Sequence, residues 1–284
     1  MLVGVVTDST CDLPAATLRR VRVEAVPLRV EVGDETYLDW RDLDPATLYD
    51  WMTNQGVLPA VRSPQPEDFM EAYRRSFQRF ESLVSIHLSE RFSQTFENAR
   101  SAAERLGIEE NVTFIDSGQA GAGLAEIVLE AAKLARNGAT AAAVKAAAER
   151  IRSDLYGVFS PTVGTWGPSS GLFDAIGKRR HRSLGHRPLV GIADGRLSQL
   201  GWQRAQHVPW ALATTLHRRF GDQPILVTIA NGSSDHAELA RLRAAVESGG
   251  LNIAHGRMQV IGPALGARLG PGSAMVFARP APDP

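Results

Sequence analysis

Short apolar runs that end in hydroxyls and carboxylates recur through the first half of this chain, and each precedes a stretch of helical periodicity. The pattern is plainest at residues 83–88, where Leu83, Val84, Ile86 and Leu88 read as a buried strand. Residues 89–95 are polar, and Phe96, Ala99, Ala102 and Ala103 then fall on one helical face. Residues 2–6 predict an earlier strand, ending in Thr7, Asp8, Ser9 and Thr10, with Asp12 as N-cap and Pro14 in the first turn of the next helix. Residues 23–32 read as one strand, with a turn at 33–35 before Thr36, Tyr37 and Leu38. Asp44-Pro45 opens a helix through Leu48, Trp51 and Met52, and a helix after Ser63-Pro64 carries Phe69, Tyr73 and Phe77. Residues 112–115 form a strand ending in Asp116-Ser117-Gly118, and 121–136 a helix closed by Asn137-Gly138.

Alternation of this kind predicts an α/β chain whose N-terminal part is an open parallel, Rossmann-like sheet. Ligands in such sheets sit beyond the carboxyl ends of the strands. Asp8-Ser9, residues 89–95 and Asp116-Ser117 are therefore expected to face one crevice. An alanine-rich helix, 139–155, bridges to a second half of different texture. There the strand 188–192 turns at Asp194-Gly195 and returns over 197–200, followed by a helix (207–220), a strand (223–230) and a helix (235–248). Residues 261–272 read as a glycine-proline loop before a last strand, 274–278. Two domains follow from this division, 1–156 (α/β) and 157–284 (α+β), with the ligand crevice between them.

Charge and composition narrow the class. Thirty-one basic residues against thirty-one acidic ones give no pull toward nucleic acid or an anionic membrane. One cysteine, Cys11, permits no internal disulfide and fits a reducing cytoplasm. No apolar run is long enough for stable membrane insertion, and the first residues lack a signal-peptide pattern. A cytoplasmic protein is expected. The basic run 178–187 reads as a solvated surface.

The familiar catalytic signatures are missing. Thr7-Asp8-Ser9 stands where a dinucleotide fold would place glycines, the glycines of 262–272 precede a strand, and no P-loop or G-x-S-x-G elbow occurs. The seven histidines are scattered, so no metal site is visible, and His87 inside its apolar run reads as a packed histidine. At Ser93 two readings stand side by side. It caps a helix, as many serines do, or it belongs to an anion site where free N–H groups and the helix dipole converge.

The ordered set Asp8-Ser9 with Asp12-Leu13, Val26-Pro27-Leu28, Tyr37 with Asp39, Ser93-Gln94-Thr95, Asp116-Ser117 with Gly123, Pro188 with Asp194-Gly195, and Gly262-Pro263 with Gly270-Pro271-Gly272 resembles the DegV family. The resemblance runs over essentially the whole chain. It implies a two-domain bacterial acyl carrier holding one long-chain fatty acid, such as palmitate, stearate or oleate, between its domains. It implies presentation of the carboxylate to a separate fatty-acid kinase, with no cofactor, no metal and no reaction of its own.

By the same resemblance, the family's Ser-Gly-Thr carboxylate loop falls on Ser93, Gln94 and Thr95, with glutamine in place of glycine. The family's Thr-Ser-Gln-Pro-Ser segment falls on Val61, Arg62, Ser63, Pro64 and Gln65, so Val61, which cannot donate a hydrogen bond, stands where the family's threonine meets the carboxylate. Arg62 or Ser63 could supply that hydrogen bond instead, or Arg62 could point to solvent. Asp116 and Ser117 join the candidate ligand set, as does Arg268, which stands where the family has a histidine. Another family histidine appears as Asn231, Arg204 matches an arginine after the hairpin, and residues 167–172 replace a Gly-Gly-Arg-Ile motif. Phe92, Leu124, Phe159, Trp166 and Leu265 are candidates for the apolar wall. Two further readings stand beside the fatty-acid one. A hydrolase or phosphotransferase could use Arg62, Asp116 and Arg268, or a carrier altered at Val61 and Gln94 could take another ligand.

Overall fold

The computed structural model describes residues 2–162, 185–233 and 235–282. The stretch 167–172, Trp166 and most of the basic run lie outside those residues.

The chain opens with β1 (Val3–Asp8), α1 (Ala15–Val21), β2 (Val23–Val26), β3 (Arg29–Val32) and β4 (Glu35–Leu38). It continues through α2 (Pro45–Asn54), β5 (Ala60–Arg62), α3 (Pro66–Phe77), β6 (Ser82–His87), α4 (Thr95–Leu106), β7 (Val112–Asp116), α5 (Ala122–Arg136) and α6 (Ala141–Asp154). Four strands form a parallel sheet in the order β2-β1-β6-β7. Every residue of β1 and β6 is buried, as an inner strand covered on both faces requires. On one face Val5, Val84 and Ile86 pack against Leu124, Ile127, Val144 and Ile151 of α5 and α6. On the other, Val6 and Leu83 pack against Phe69, Tyr73 and Ala99 of α3 and α4. The sheet is doubly wound, as the alternation predicts.

Two local readings need correction. Residues 23–32 form two strands in different sheets. β2 runs parallel to β1, whereas β3 pairs antiparallel with β4 and β5. The break falls at Pro27, which has no N–H to continue a ladder, and the Leu28 N–H donates instead to Ser9 Oγ at 2.9 Å. Asp12 caps no helix N-terminus. It ends a 3-10 turn over Ser9–Cys11 in the left-handed region (φ 53°), and α1 starts three residues later.

The second half contains β8 (Tyr156–Ser160), β9 (His186–Ala193), β10 (Arg196–Arg204), α7 (Val208–Phe220), β11 (Ile225–Asn231), α8 (His236–Glu247), β12 (Ile253–Val260), α9 (Pro263–Leu269) and β13 (Ala274–Pro280). Its mixed sheet has the order β10-β9-β8-β13-β11-β12, and only the β11-β12 pair is parallel. Val158, Val227 and Val276 face Leu212, Leu216 and Leu242 of α7 and α8. Phe159, Ile192, Met275 and Phe277 face the other way, toward Ala122 of α5 and Leu265 and Leu269 of α9.

The glycine-proline stretch expected to be a loop contains α9. Pro263 suits the first turn, and the apolar residues Ala264, Leu265, Ala267 and Leu269 cover the short helix nearly all round. Such a helix is stable only when packed on both sides. Leu265 and Leu269 enter the core beneath the mixed sheet, while Ala264 and Ala267 join Leu28, Val30, Leu48 and Met52 around the small sheet. A second tie between the halves is ionic. Glu126 of α5 pairs with Arg257 of β12 at 3.2 Å and Arg279 of β13 at 2.9 Å. All three side chains are at least three-quarters buried. Glu126→Ala leaves two guanidiniums facing each other in poorly hydrated space, and should lower unfolding stability by about 3 kcal/mol in urea titrations.

Candidate functional site

The strand order places the carboxyl ends of β1, β6 and β7 side by side, at Asp8, His87 and Asp116. Asp8 and His87 do not meet a ligand. Asp8 Oδ2 accepts the Leu88 N–H at 2.9 Å and lies 3.1 Å from His87 Nδ1, while Asp8 Oδ1 accepts the Thr10 N–H at 3.1 Å. His87 Nε2 is 2.7 Å from Ser85 Oγ, which is 2.8 Å from the Tyr73 hydroxyl. Hydroxyl, imidazole and carboxylate are thus strung together as in a serine hydrolase, but all are sealed from solvent at 0% exposure. No substrate reaches them. They tie neighbouring strand ends together, which is the packed role read for His87.

The accessible chemistry lies one layer out, in a cavity of about 190 Å³ between the β6-α4 turn, β5 and α9. Its polar lining is Thr10, Ser63, Ser93, Arg91 and Arg268, and its apolar lining includes Leu88, Phe92, Ala264 and Leu265. One bond within the turn and one to the β7-α5 turn fix it: the Phe92 N–H donates to Ser89 O at 2.9 Å and the Ser89 N–H to Gln119 O at 2.9 Å. Asn98 Nδ2 donates to Pro64 O at 2.8 Å and fastens the Ser63 loop to α4. Ser63 Oγ and Ser93 Oγ are 2.7 Å apart, and Ser93 Oγ lies 2.8 Å from Thr95 Oγ1 and accepts the Thr95 N–H at 3.2 Å. Ser93 is therefore a turn-former that lines the cavity, and it is not the helix cap read from the sequence, since Gln94 holds the N-cap position of α4.

Arg268 carries the cation. Its Nη2 donates to Val61 O at 3.1 Å, and no carboxylate among the described residues pairs with it. Burial lowers its pKa, which measures the cost of holding an unpaired guanidinium in partly dry surroundings. Arg91, also without an ion-pair partner among the described residues, lays its stem beside Gly195 in the β9-β10 turn. Two cations and three hydroxyls, with no acid in the lining among the described residues, suit an anion above an apolar floor.

The remaining candidates separate clearly. Thr95 is buried behind Ser93, and Gln94 stands exposed at the N-cap of α4 with no capping bond from its side chain. Arg62 does not supply the hydrogen bond that Val61 cannot make. It is 66% exposed and pairs with Glu31 at 3.0 Å, because alternate residues of β5 face opposite ways and Val61 takes the inward place. Asp116 Oδ1 accepts the Gly118 N–H at 2.9 Å, and Ser117 Oγ accepts the Gln119 N–H at 3.1 Å. These two shape the β7-α5 turn and do not line the cavity. Of the apolar candidates, Phe92 and Leu265 line it, whereas Leu124 and Phe159 belong to the cores. Arg187, at the end of the basic run, is no solvated charge. It donates to Gly272 O at 2.9 Å and to Ser160 O, and burial pulls its pKa down to about 10. Arg91 is a cavity residue that the sequence reading does not single out; its signal is a cation two residues ahead of Ser93.

α9, which carries Arg268, is positioned by two buried acids. Asp39 Oδ1 accepts the Ala264 N–H at 2.9 Å, and Asp12 Oδ1 accepts the Trp40 indole N–H at 3.3 Å. Burial raises both carboxyls, Asp39 to about 7, with the neighbouring acid adding to the rise at Asp12. Gly262, before the helix, nests against this group: a Cβ there would lie 2.1 Å from Trp40 Nε1 and 2.4 Å from Asp12 Oδ1. Gly262→Ala should push α9 outward and cost about 1–3 kcal/mol of stability in urea unfolding, with Arg268 displaced in a crystal structure of the variant.

The doubly wound sheet and the mixed sheet meet at a cavity walled by α9 and lined by two arginines, three hydroxyl residues and apolar side chains. Residues 2–281 match the family model described as "Uncharacterised protein, DegV family". The chain belongs to the DegV family. A DegV domain-containing protein of Halalkalibacterium halodurans is 27% identical over 281 residues, covering 95% of this chain and 96% of that one. One of Streptomyces coelicolor is 28% identical over 273 residues, covering 95% of each. Among solved structures, a DegV family protein from Thermus thermophilus, described by its fatty acid binding, superposes with a TM-score of 0.85 at 27% identity, covering 99% of this chain and 100% of that one. A stearic acid-binding protein from Eubacterium ventriosum shares the fold, with a TM-score of 0.83 at 20% identity over 98% of both chains.

Proposed function

We propose that this protein binds one long-chain fatty acid, with the carboxylate at Ser63, Ser93 and Arg268 and Arg91 at the rim. The observation that carries the reading is the half-buried Arg268 guanidinium, without a carboxylate partner among the described residues, lining one cavity with the Ser63 and Ser93 hydroxyls above an apolar floor. The Thermus thermophilus relative, described as binding fatty acid, supports it. Arg268 and Ser63 take over the role that Val61 cannot fill. A carboxylate gains most from a donor that is charged and already desolvated, since little further dehydration is needed on binding.

The cavity is smaller than the roughly 300–1,000 Å³ of pockets for drug-sized ligands. It seats the head group and the first methylenes, and the rest of the chain enters the seam where Leu265 and Phe92 meet the mixed sheet. Each methylene buried there contributes about 0.8 kcal/mol, so the tail supplies most of the affinity and the head group sets orientation. The parts 1–156 and 157–284 act as the two walls, with α9 lent by the second to the first. The head group lies near the exposed Gln94 and Arg91, within reach of a partner such as a fatty-acid kinase. No reaction is assigned to the protein itself. The hydrolase or phosphotransferase reading requires Arg62 and Asp116 in the cavity, and neither lines it.

Native mass spectrometry of the purified protein, followed by denaturing extraction, should recover one fatty acid per chain. Ser93→Ala should weaken binding of added oleate about tenfold and Arg268→Gln by somewhat more, since hydrogen bonds to charged groups contribute roughly 1.5–3 kcal/mol. Arg62→Ala should bind as the parent does. A protein that carries no acid and takes up neither oleate nor palmitate overturns the reading.

A further inference from the structure

Two buried carboxylates that the head-group site does not use lie at the start of α9. Asp12 follows β1 and Asp39 follows β4, both are essentially without solvent contact, and the Oδ2 atom of each has no hydrogen-bond partner among the described residues. Their Oδ1 atoms hold the Trp40 indole and the Ala264 N–H, and the Gly262 N–H points at Asp12. Asp12 Oδ2 sits among Gly121, Leu265 and Met275, where a Cβ on Gly121 would lie 3.6 Å from it.

Among the described residues no cationic side chain pairs with either acid, and only the N–H groups at the start of α9, the Trp40 indole and a hydroxyl offset ionisation. From β1 comes Asp8, itself hydrogen-bonded to His87; from the turn, Cys11 and the Ser9 hydroxyl; from α2, Tyr49, whose hydroxyl donates to Ile261 O at 2.8 Å. Arg257 of β12 acts electrostatically on Cys11 but is paired with Glu126. Arg268, the charged side chain of α9, is at the far end of the helix on Val61 O. Trp40 adds a mechanical sign of constraint. It holds a left-handed backbone (φ 63°), costly for a large side chain, while its indole is tied to Asp12.

We propose that Asp12 and Asp39 form a proton-operated latch on the start of α9, which holds its first turn against the head-group cavity while the pair is protonated and loosens it when both acids are ionised. α9 supplies Ala264, Leu265 and Arg268 to the cavity, so a loosened first turn speeds ligand exchange. The sign follows from linkage. Closed, the pair binds protons more tightly than it does in water, so opening releases protons and is favoured as pH rises. For Asp39 the sensitive span runs from the ordinary carboxyl pKa of about 4 up to its buried value of about 7, above which its contribution levels off. Asp12, also raised, acts in the same direction.

The ligand arm of the test rests on the fatty-acid reading; the helix arm does not. Amide exchange of α9 in the full chain, corrected for intrinsic exchange, should show protection falling about tenfold between about pH 5.5 and pH 7. Dissociation of a fluorescent long-chain fatty acid should quicken by a similar factor over that span. Asp39→Asn keeps an oxygen for the Ala264 N–H but cannot ionise, and should flatten both profiles; Asp12→Asn should reduce both slopes. Protection that does not change with pH in the parent overturns the latch, as does an unchanged slope in both variants. A protein that binds no acid yet shows the pH-dependent exchange refutes the fatty-acid reading and leaves the latch standing.

Discussion

The structure depends on the two-sided burial of α9. Seven residues cannot hold a helix by their own hydrogen bonds, so α9 exists because both surfaces that flank it are apolar. Leu265 and Leu269 complete the core beneath the mixed sheet, and Ala264 and Ala267 complete the one around β3 and α2. Neither core closes without the other half of the chain. The cavity is a consequence, the space left where a helix of small residues bridges two curved surfaces.

Exposure divides two sets of similar chemistry at the end of the parallel sheet. Ser85, His87 and Asp8 form a hydroxyl–imidazole–carboxylate chain that is fully buried and saturates its own polar atoms. Ser63, Ser93 and Arg268 are only partly buried, and their charge has no internal counter-ion among the described residues. A satisfied buried network gives rigidity, whereas an unsatisfied, partly exposed one can gain by binding. The first ties the ends of β1 and β6 together, while the second is held at its 2.7 Å hydroxyl pair by the Asn98 bond to Pro64 O.

The acids under α9 show the cost of this design. Most buried carboxylates meet a cation, but Asp12 and Asp39 have only backbone N–H groups, an indole and a hydroxyl. Those donors are enough to position a helix that carries one wall of the cavity. They are not enough to stabilise two full negative charges there.

Local pattern alone determined the doubly wound half. Buried apolar runs such as 83–88, the periodic Phe69-Tyr73-Phe77 and the helix stop at Asn137-Gly138 carry their structure in near-neighbour spacing, and the parallel sheet follows from their alternation. Ser93 was legible as a candidate because hydroxyls before a helix stand out in any context, whereas Arg268 was a candidate only through the family resemblance, standing where that family has a histidine. Only the tertiary structure decided what those candidates do. Whether Arg62 or Arg268 faces the cavity depends on which way β5 turns its side chains, and that was set by pairing with β3, thirty residues earlier. Asp116 and Ser117 looked equal to Ser93 at their strand end, but the β7-α5 turn consumed them as acceptors. α9 was invisible because its stability comes from two distant surfaces. Asp12 looked like a cap until Trp40 and Gly262 closed around it. Spacing along a chain reports interactions between near neighbours; burial, pairing and unpaired charge arise only when remote segments meet.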